Sequence, residues 1–498
     1  PKEGNIFPAK FYGKAGTKFN LTSEKEVNKV LQQLNGKNYK ILEVQCQERR
    51  RNPSPPFTTS TLQQEAYRKL GFSTKKTMIT AQQLYEGIEV GKKGEPVGLI
   101  TYMRTDATFI SPLAREEAAK YIGSVFGEAY LPEKPRVFTS RKGAQEAHEA
   151  IRPTSVTREP DEIKAFLTRD QYKLYKLIWS RFLASQMEAA LIEQVKVEIG
   201  AGEYIFKAIG SNIKFPGFMI LYIEDDDEEK EKENRLPDLT KDEKLELLSL
   251  TPSQHFTQPP PRFTEASLVK IMENKGIGRP STYSPIIETI LSRGYVIKQE
   301  KVLKPTELGF IVVEILKNFF PEIIDVDFTA QMEDMLDKVE AGELSRLKVL
   351  SDFFAPFNAR LNVARKEMEK IELQDEETEE VCPLCGKKLV KKHGRFGKFL
   401  ACPGFPECRY TAQVKINTGV KCPLCEGDII ERWSRKGKKF YGCSNYPACK
   451  FVSWDKPLEK RCPKCGYFLV ESTFRGARRG VRCGNKECGY QETGEKGG

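Results

Sequence analysis

The spacing of apolar residues changes character several times along the chain. Up to about residue 57 it alternates. Ile6, Phe7 and Phe11 come early, a helix is predicted from Ser23 to Leu34 and a strand from Lys40 to Cys46, before Pro53, Pro55 and Pro56 end the region. From Ser60 the period becomes helical, with Leu62, Ala66, Tyr67 and Leu70 at three-to-four spacing and Gly71 as the stop. Further helices are predicted from Lys75 to Tyr85 and from Ser111-Pro112 to Ile122, the second with a polar N-cap and a proline at its first position. Alternation returns between 188 and about 250, where Val195, Val197 and Ile199 interleave with Lys196 and Glu198, and Tyr204 to Ala208 continue the trend. Helical spacing resumes from Thr251 to about Lys370, opening on Pro259, Pro260 and Pro261, with a helix over Ser267 to Glu273 and a closing one over Leu344 to Ile371. The two β-patterned regions are expected to form one β domain interrupted by a helical insert, and Asp375 to Glu380 an acidic linker.

Within the insert, Gly98-Leu99-Ile100-Thr101-Tyr102-Met103-Arg104-Thr105-Asp106 reads as a strand running out into a polar loop. Side chains two apart on a strand share a face, so Tyr102 and Arg104 are expected to point together and Met103 away. Free tyrosine titrates near 10, so ionising one at pH 7 costs about 4 kcal/mol. A guanidinium alongside offsets part of that cost and can hold a phosphate oxygen. The pair therefore reads as a nucleophile for phosphoryl transfer with its own cationic clamp. An edge-strand tyrosine beside a surface arginine is the plainer alternative.

Other polar residues carry weaker signals. Gly276-Ile277-Gly278 permits a tight turn, and Arg279, Ser281 and Thr282 follow it into a helix. Helix-start amides, hydroxyls and an arginine suit a DNA phosphate, although capping alone accounts for Ser281. His148 is one of three histidines, and Arg152 is either a phosphate contact or the partner of Glu149. Cys46 stands apart from the other cysteines and is expected to be a small buried apolar side chain. The acidic run Asp225 to Glu233 reads as a solvated loop, because like charges in a block repel.

Beyond residue 381 the chain repeats three times. Cys382 and Cys385 precede Cys402 and Cys408, Cys422 and Cys425 precede Cys443 and Cys449, and Cys462 and Cys465 precede Cys483 and Cys488. Each unit opens as Cys-Pro-X-Cys and supplies a second cysteine pair after sixteen or seventeen intervening residues, the spacing of a tetrahedral Zn(2+) site. No secretory signal accompanies these cysteines, which argues against disulfides. Units of about 30 residues are too small to fold on a core alone, so the metal is expected to stabilise them. Cations and aromatics interleave in all three: Arg395, Phe396, Lys398 and Phe399; Arg432, Trp433, Lys438, Lys439, Phe440 and Tyr441; Phe468, Phe474, Arg475, Arg478 and Arg479. Such rings suit base stacking on single strands, with about half expected to pack over the zinc knuckles instead.

Composition narrows the picture further. At 498 residues several domains are expected. The formal charge of +11 points to an anionic partner, but three zinc tetrathiolates would reduce it to about +5, so the basic character must be local. No run of about 18 apolar residues occurs, which removes a membrane-spanning helix, and the cytoplasm is the expected location. The chain opens on Pro1, inside what reads as β structure, and is expected to be a piece of a longer protein.

Thr101-Tyr102-Met103-Arg104-Thr105-Asp106 resembles the active-site segment of the type IA topoisomerases of the bacterial topoisomerase I kind. Phe57-Thr58-Thr59-Ser60-Thr61-Leu62-Gln63-Gln64, Ala144-Gln145-Glu146-Ala147-His148-Glu149-Ala150-Ile151-Arg152-Pro153, Gly276-Ile277-Gly278-Arg279-Pro280-Ser281-Thr282-Tyr283 and Asp327-Phe328-Thr329-Ala330-Gln331-Met332-Glu333 extend the likeness over nearly the whole chain. The resemblance implies a multidomain α+β protein. Its β arch domain would be built from 1–57 and 188–251, with a helical domain over 58–187 that carries the tyrosine and lifts to open a gate. A helical DNA-groove domain over 252–375 and three ribbons over 381–415, 421–456 and 461–493 would follow.

It also implies roles. Tyr102 is expected to attack a backbone phosphate of single-stranded DNA and hold the 5′ phosphate, with Arg104 steadying the phosphoryl oxygens and His148 assisting. Arg152, Arg262, Arg279, Ser281, Thr282 and Tyr283 are expected along the DNA groove, and Phe399, Trp433 and Tyr441 on the ribbons. The family's Mg(2+)-holding Toprim domain has no counterpart in this sequence. Asp325-Val326-Asp327 has only a superficial Asp-X-Asp form, and the family's Gly-Arg-Val-Gln segment is absent as well. The chain is therefore expected to bind DNA without turning over alone. A monomer associated with the nucleoid, with RNA polymerase as a partner of the ribbons, completes the expectation. A single-strand-binding module without chemistry, or the topoisomerase III and reverse gyrase branches, remain alternatives at this point.

Overall fold

The computed structural model describes residues 6–14, 17–90, 95–138, 148–223, 236–368, 376–394, 397–413, 417–433, 439–473, 479–485 and 487–493. The acidic run 225–233 lies outside them. The chain divides into two compact units, 1–368 and 369–498.

The first unit is organised by a six-stranded antiparallel sheet. In chain order its strands are β1 (Lys10–Lys14), β2 (Thr17–Lys18), β3 (Tyr39–Arg51), β6 (Ala190–Ala201), β7 (Tyr204–Phe215) and β8 (Lys244–Leu245). In space the order is β2-β1-β7-β6-β3-β8. Strands β3 and β6 pair from Tyr39↔Ala201 to Arg51↔Ala190. Antiparallel neighbours pair end to start, so everything between them in sequence leaves and re-enters the sheet at the Arg51–Ala190 end. Helix α1 (Glu24–Leu34), held by a Ser23/Glu26 capping box, packs Val30 and Leu34 on Ile41, Val197, Ile199 and Phe206.

Strand β3 runs past the predicted Cys46, because the ladder to β6 holds even the charged Glu48 to Arg51. Burial fades along it: Ile41 is fully buried, whereas residues 45–50 are exposed. Cys46 is exposed as well, which corrects the expected buried thiol.

The inserted layer comprises α2 (Thr59–Leu70), α3 (Thr74–Glu86), the two-residue strands β4 (Ile88–Glu89) and β5 (Pro96–Val97), α4 (Pro112–Val125) and α5 (Arg169–Gln186). The local signals did their work: Thr58 and Ser111 cap α2 and α4, Pro112 opens α4, and Gly71 ends α2 at φ +67°. Leu62, Leu84, Leu99, Met103, Ile122, Leu174 and Phe182 form one core. Arg181 is buried in it, its guanidinium 5.0 Å from the rings of both Phe57 and Tyr222 and its Nε donating to the Pro55 carbonyl at 2.7 Å.

Residues 252–368 carry α6 (Glu265–Asn274), α7 (Tyr283–Ser292), the hairpin β9 (Val296–Gln299) and β10 (Val302–Pro305), then α8 (Glu307–Phe319), α9 (Pro321–Ile324), α10 (Val326–Glu340) and α11 (Arg346–Glu367). Polar contacts tie this region to the insert. Glu265 accepts from the Thr74 amide at 2.8 Å, from its hydroxyl at 3.1 Å and from Lys298 Nζ at 2.6 Å. Lys75 pairs with Glu288, and the Tyr67 hydroxyl donates to the Lys301 carbonyl.

The second unit is three successive four-stranded antiparallel meanders. The first contains β11 (Glu376–Val381), β12 (Lys388–Gly394), β13 (Gly397–Ala401) and β14 (Thr411–Gln413). The second contains β15 (Asn417–Lys421), β16 (Asp428–Trp433), β17 (Lys439–Cys443) and β18 (Val452–Ser453), and the third β19 (Pro457–Arg461), β20 (Phe468–Thr473), β21 (Arg479–Cys483) and β22 (Gln491–Thr493). Residues 376–380, expected as linker, belong to β11, which pairs Glu376 with Lys391 and Val381 with Lys388. Lysines opposite the acidic run turn a sequence that would repel itself into a strand. Ribbons two and three share one core, in which Val420, Ile429 and Tyr441 meet Phe468 and Val470, and the Phe451 ring meets Phe468 edge-on at 6.0 Å. The first ribbon has its own core of Leu389 and Leu400 around Cys382 and Cys402.

Candidate active site and zinc centres

Tyr102 does not lie on a strand. Residues 101–110 form no ladder, and the nearest pairing is an isolated bridge from Ile100 to Pro153. The reason lies in what its backbone bonds to. Thr59 Oγ1 takes the Met103 carbonyl at 2.7 Å and accepts the Thr105 amide at 2.9 Å, while the Thr59 amide donates to the Thr105 carbonyl at 2.9 Å. On the other side the Thr101 amide donates to the Arg152 carbonyl at 2.9 Å, and Thr101 Oγ1 to the Ala150 carbonyl at 2.7 Å. Three stretches far apart in sequence, 57–59, 101–105 and 150–153, are thereby laced together, and Phe57 bridges Ile151 to close the set.

This lacing leaves Tyr102 and Arg104 outside and Met103 and Thr105 inside. Tyr102 is 39% exposed and Met103 1%. Arg104 is exposed and makes no hydrogen bond or ion pair among the described residues, so its charge is uncommitted. The His148 ring stands 5.8 Å from the Tyr102 ring, and the Tyr85 ring 5.4 Å from it on another side. Residues 144–147 of the same motif lie outside the described residues. Arg152 turns to Glu149, Nη2 at 2.6 Å and Nε at 2.9 Å from Oε2, and its Nη1 donates to the Pro153 carbonyl at 3.0 Å. Glu149 also accepts the Ser111 amide at 3.0 Å, so the ion pair braces the start of α4.

Thr59 and Ser60 escaped sequence reading as functional residues, although four successive hydroxyl residues at one helix start, Thr58 to Thr61, were the available signal. Ser60 Oγ donates to Glu273 of α6 at 2.8 Å. Adjacent residues thus hold the tyrosine loop and the next helical region.

In the 276–283 stretch, Arg279 is already engaged. Its Nη2 lies 2.6 Å from Asp337 and 3.8 Å from Asp334, its Nη1 3.8 Å from Glu333, and Nη1 also donates to the Gly278 carbonyl at 3.0 Å. Burial works to lower its pKa, but the Asp337 hydrogen bond and the neighbouring carboxylates outweigh it and raise it. Thr282 Oγ1 accepts the Arg279 amide at 2.8 Å, bracing the turn, and makes no capping bond to α7. Ser281 and Arg262 are exposed. Tyr283, expected in the groove, is 6% exposed and packs with Val269, Met272 and Ile287, which is a correction: its ring serves the α6–α7 core.

Each ribbon brings four sulfurs within 4.8 Å of one another. The closest pairs are Cys382–Cys408 at 3.6 Å and Cys385–Cys402 at 3.2 Å in the first, Cys422–Cys449 at 3.6 Å and Cys425–Cys443 at 3.3 Å in the second, and Cys462–Cys488 at 3.7 Å and Cys465–Cys483 at 3.4 Å in the third. A zinc tetrahedron with bonds of about 2.3 Å has edges of about 3.8 Å, so the donor set fits that ion. Burial raises the Cys382 and Cys462 thiols, yet knuckle amides, from Leu384 and Cys385 and from Lys464 and Cys465, bring both down to about 7. The Gly427 amide helps bring Cys425 to about 7 as well.

Of the ribbon aromatics, Phe399 is half-buried, and the Trp433 side chain lies outside the described residues. Tyr441 is 6% exposed in the shared core, correcting its expected place facing DNA, and Phe468 is buried there too. Among the described residues the rings that stand out are Phe405 and Tyr446 on the second knuckles of ribbons one and two, with the Arg432 guanidinium 5.3 Å from the Tyr446 ring, and Trp454 just after β18.

A discontinuous sheet domain, a helical insert presenting an open tyrosine and, later in the sequence, four-cysteine ribbons define a type IA topoisomerase fold with zinc ribbons. Residues 5–351 match the family model described as DNA topoisomerase, and residues 379–417 and 419–458 match the one described as topoisomerase DNA binding C4 zinc finger. The chain belongs to the DNA topoisomerase family, type IA. Among solved structures it is similar to full-length topoisomerase I from Thermotoga maritima, at 37% identity and a TM-score of 0.62. That match covers 81% of this chain and 64% of the Thermotoga protein's length.

Proposed function

We propose that this chain is the body of a DNA topoisomerase that relaxes negatively supercoiled DNA through a transient single-strand break. The observation that carries this reading is the open Tyr102 beside an uncommitted Arg104, on a loop that Thr59 and Thr101 lock in place. The Tyr102 phenol oxygen forms a bond to a backbone phosphorus as the bond to the 3′ oxygen breaks. The phenol gives up its proton, the 3′ oxygen gains one, and nothing is oxidised or reduced. Arg104 neutralises the phosphoryl oxygens and His148 lies close enough to relay a proton or hold phosphate. Attack by the freed 3′ hydroxyl reverses the step after strand passage, so no nucleotide cofactor is required.

Among the described residues the only clusters of three or more metal-ligand side chains are the cysteine tetrads. Among the described residues no carboxylate set beside Tyr102 fits Mg(2+). That ion is assigned to a Toprim domain outside this sequence. Arg262, Arg279, Ser281 and Thr282 would guide single-stranded DNA, with Arg279 exchanging Asp337 for a phosphate. The ribbons would grip single strands and offer a surface to RNA polymerase, and the protein would act as a nucleoid-associated monomer.

The test adds a separately produced Toprim domain and magnesium to this chain with a single-stranded oligonucleotide. Nicking supports the enzyme. Tight binding with no nicking favours a single-strand-binding module.

A further inference from the structure

Tyr85 is the penultimate residue of α3, and its ring meets that of Tyr102 edge-on, with 5.4 Å between centroids and 65° between planes. Both rings stand well into solvent, at 40% and 39% exposure, so the contact does little for the core. The Tyr85 hydroxyl has no hydrogen-bond partner among the described residues, which leaves the ring as its working part.

The backbone beneath the pair is held tightly. The Leu99 amide donates to the Leu84 carbonyl at 2.7 Å, and the Gly87 amide caps the Gln83 carbonyl at 3.3 Å. Gly98 passes so close that a Cβ there would stand 2.8 Å from the Tyr85 carbonyl oxygen, an approach only glycine permits. The helix end and the tyrosine loop are therefore spliced three residues before Tyr102, and His148 closes another side at 5.8 Å.

We propose that Tyr85 is a positioning residue for the Tyr102 nucleophile, its ring edge fixing the tilt at which the phenol meets the scissile phosphate. The proposal rests on the reading of Tyr102 given above. Edge-to-face pairs hold a preferred angle, and reaction rates fall steeply when a nucleophile strays from its attack geometry.

The experiment measures single-turnover cleavage of a saturating single-stranded oligonucleotide by the enzyme joined by its Toprim domain and magnesium, and separately the affinity for that oligonucleotide without magnesium. Tyr85→Ala should cleave about three- to tenfold more slowly at unchanged affinity, and Tyr85→Phe, which keeps the ring, within about twofold of the parent. Tyr85→Leu keeps apolar bulk at the helix end and should fall with Ala, so the test survives if the Ala variant folds poorly. Parental rates in both Ala and Leu variants overturn the proposal, as does a loss matched by weaker binding, which would make Tyr85 a DNA contact. A Tyr102→Phe control that still forms an adduct overturns the underlying reading instead.

Discussion

Thr59 donates its hydroxyl to the Met103 carbonyl at 2.7 Å, fixing the residue next to the candidate nucleophile from a helix that begins 44 positions earlier. The same oxygen accepts the Thr105 amide, and the side chain is fully buried. Thr59→Val keeps the shape but leaves a buried carbonyl and amide unmatched, at about 1–3 kcal/mol. Urea unfolding should register that loss, whereas Thr59→Ser should stay within about 1 kcal/mol because the hydroxyl remains.

Glu265 joins the insert to the helices that follow it. Glu265→Ala strands the Thr74 amide and hydroxyl together with Lys298, whose partial exposure moderates the cost to about 2–3 kcal/mol. Glu265→Gln keeps an acceptor and should lose about half as much, measured by the same unfolding.

How much of this was legible in sequence follows from distance along the chain. Helix ends at Gly71 and Ser111-Pro112 were readable because capping is settled within four residues. The cysteine tetrads were readable because metal geometry imposes fixed spacings on each short unit. The conformation around Tyr102 was not, since its strand-like alternation is satisfied by Thr59 and Arg152 rather than by a neighbouring strand. Nor were the partners of Arg279, whose strongest carboxylate comes 58 residues later. The burial of Tyr441 depends on a neighbouring ribbon, and no pattern within its own strand announces it.

That neighbour has a consequence for metal binding. Ribbons two and three share the Phe468 ring, whereas ribbon one stands on its own core. Zinc analysis should return three ions per chain. Phe468→Ser removes about 3 kcal/mol or more of packing, so stepwise chelation should release two ions early and leave the first ribbon's ion in place. Early loss of only one ion would mean that the second and third ribbons fold independently.

One buried and one half-buried phenol set an alkaline limit. Burial, reinforced by a hydrogen bond to Glu159, pushes the Tyr121 pKa up, and burial does the same to Tyr175, whose hydroxyl donates to the Arg158 carbonyl at 2.8 Å. The folded form keeps these protons when the unfolded chain, titrating near 10, has lost them. Their contribution is complete below pH ~10 and is lost as pH rises above it. Stability measured from pH 9 to 11 should fall, and less steeply in Tyr121→Phe and Tyr175→Phe.

The phenol of Tyr102 is the centre of the whole account. With the Toprim domain and magnesium supplied, denaturing electrophoresis of an end-labelled oligonucleotide should show a protein-linked 5′ phosphate, and peptide mapping should place it on Tyr102. Tyr102→Phe should abolish the adduct while leaving oligonucleotide affinity within about twofold, since removing one hydroxyl at an exposed site costs little binding. An adduct that survives the substitution, or that maps to another residue, contradicts the account.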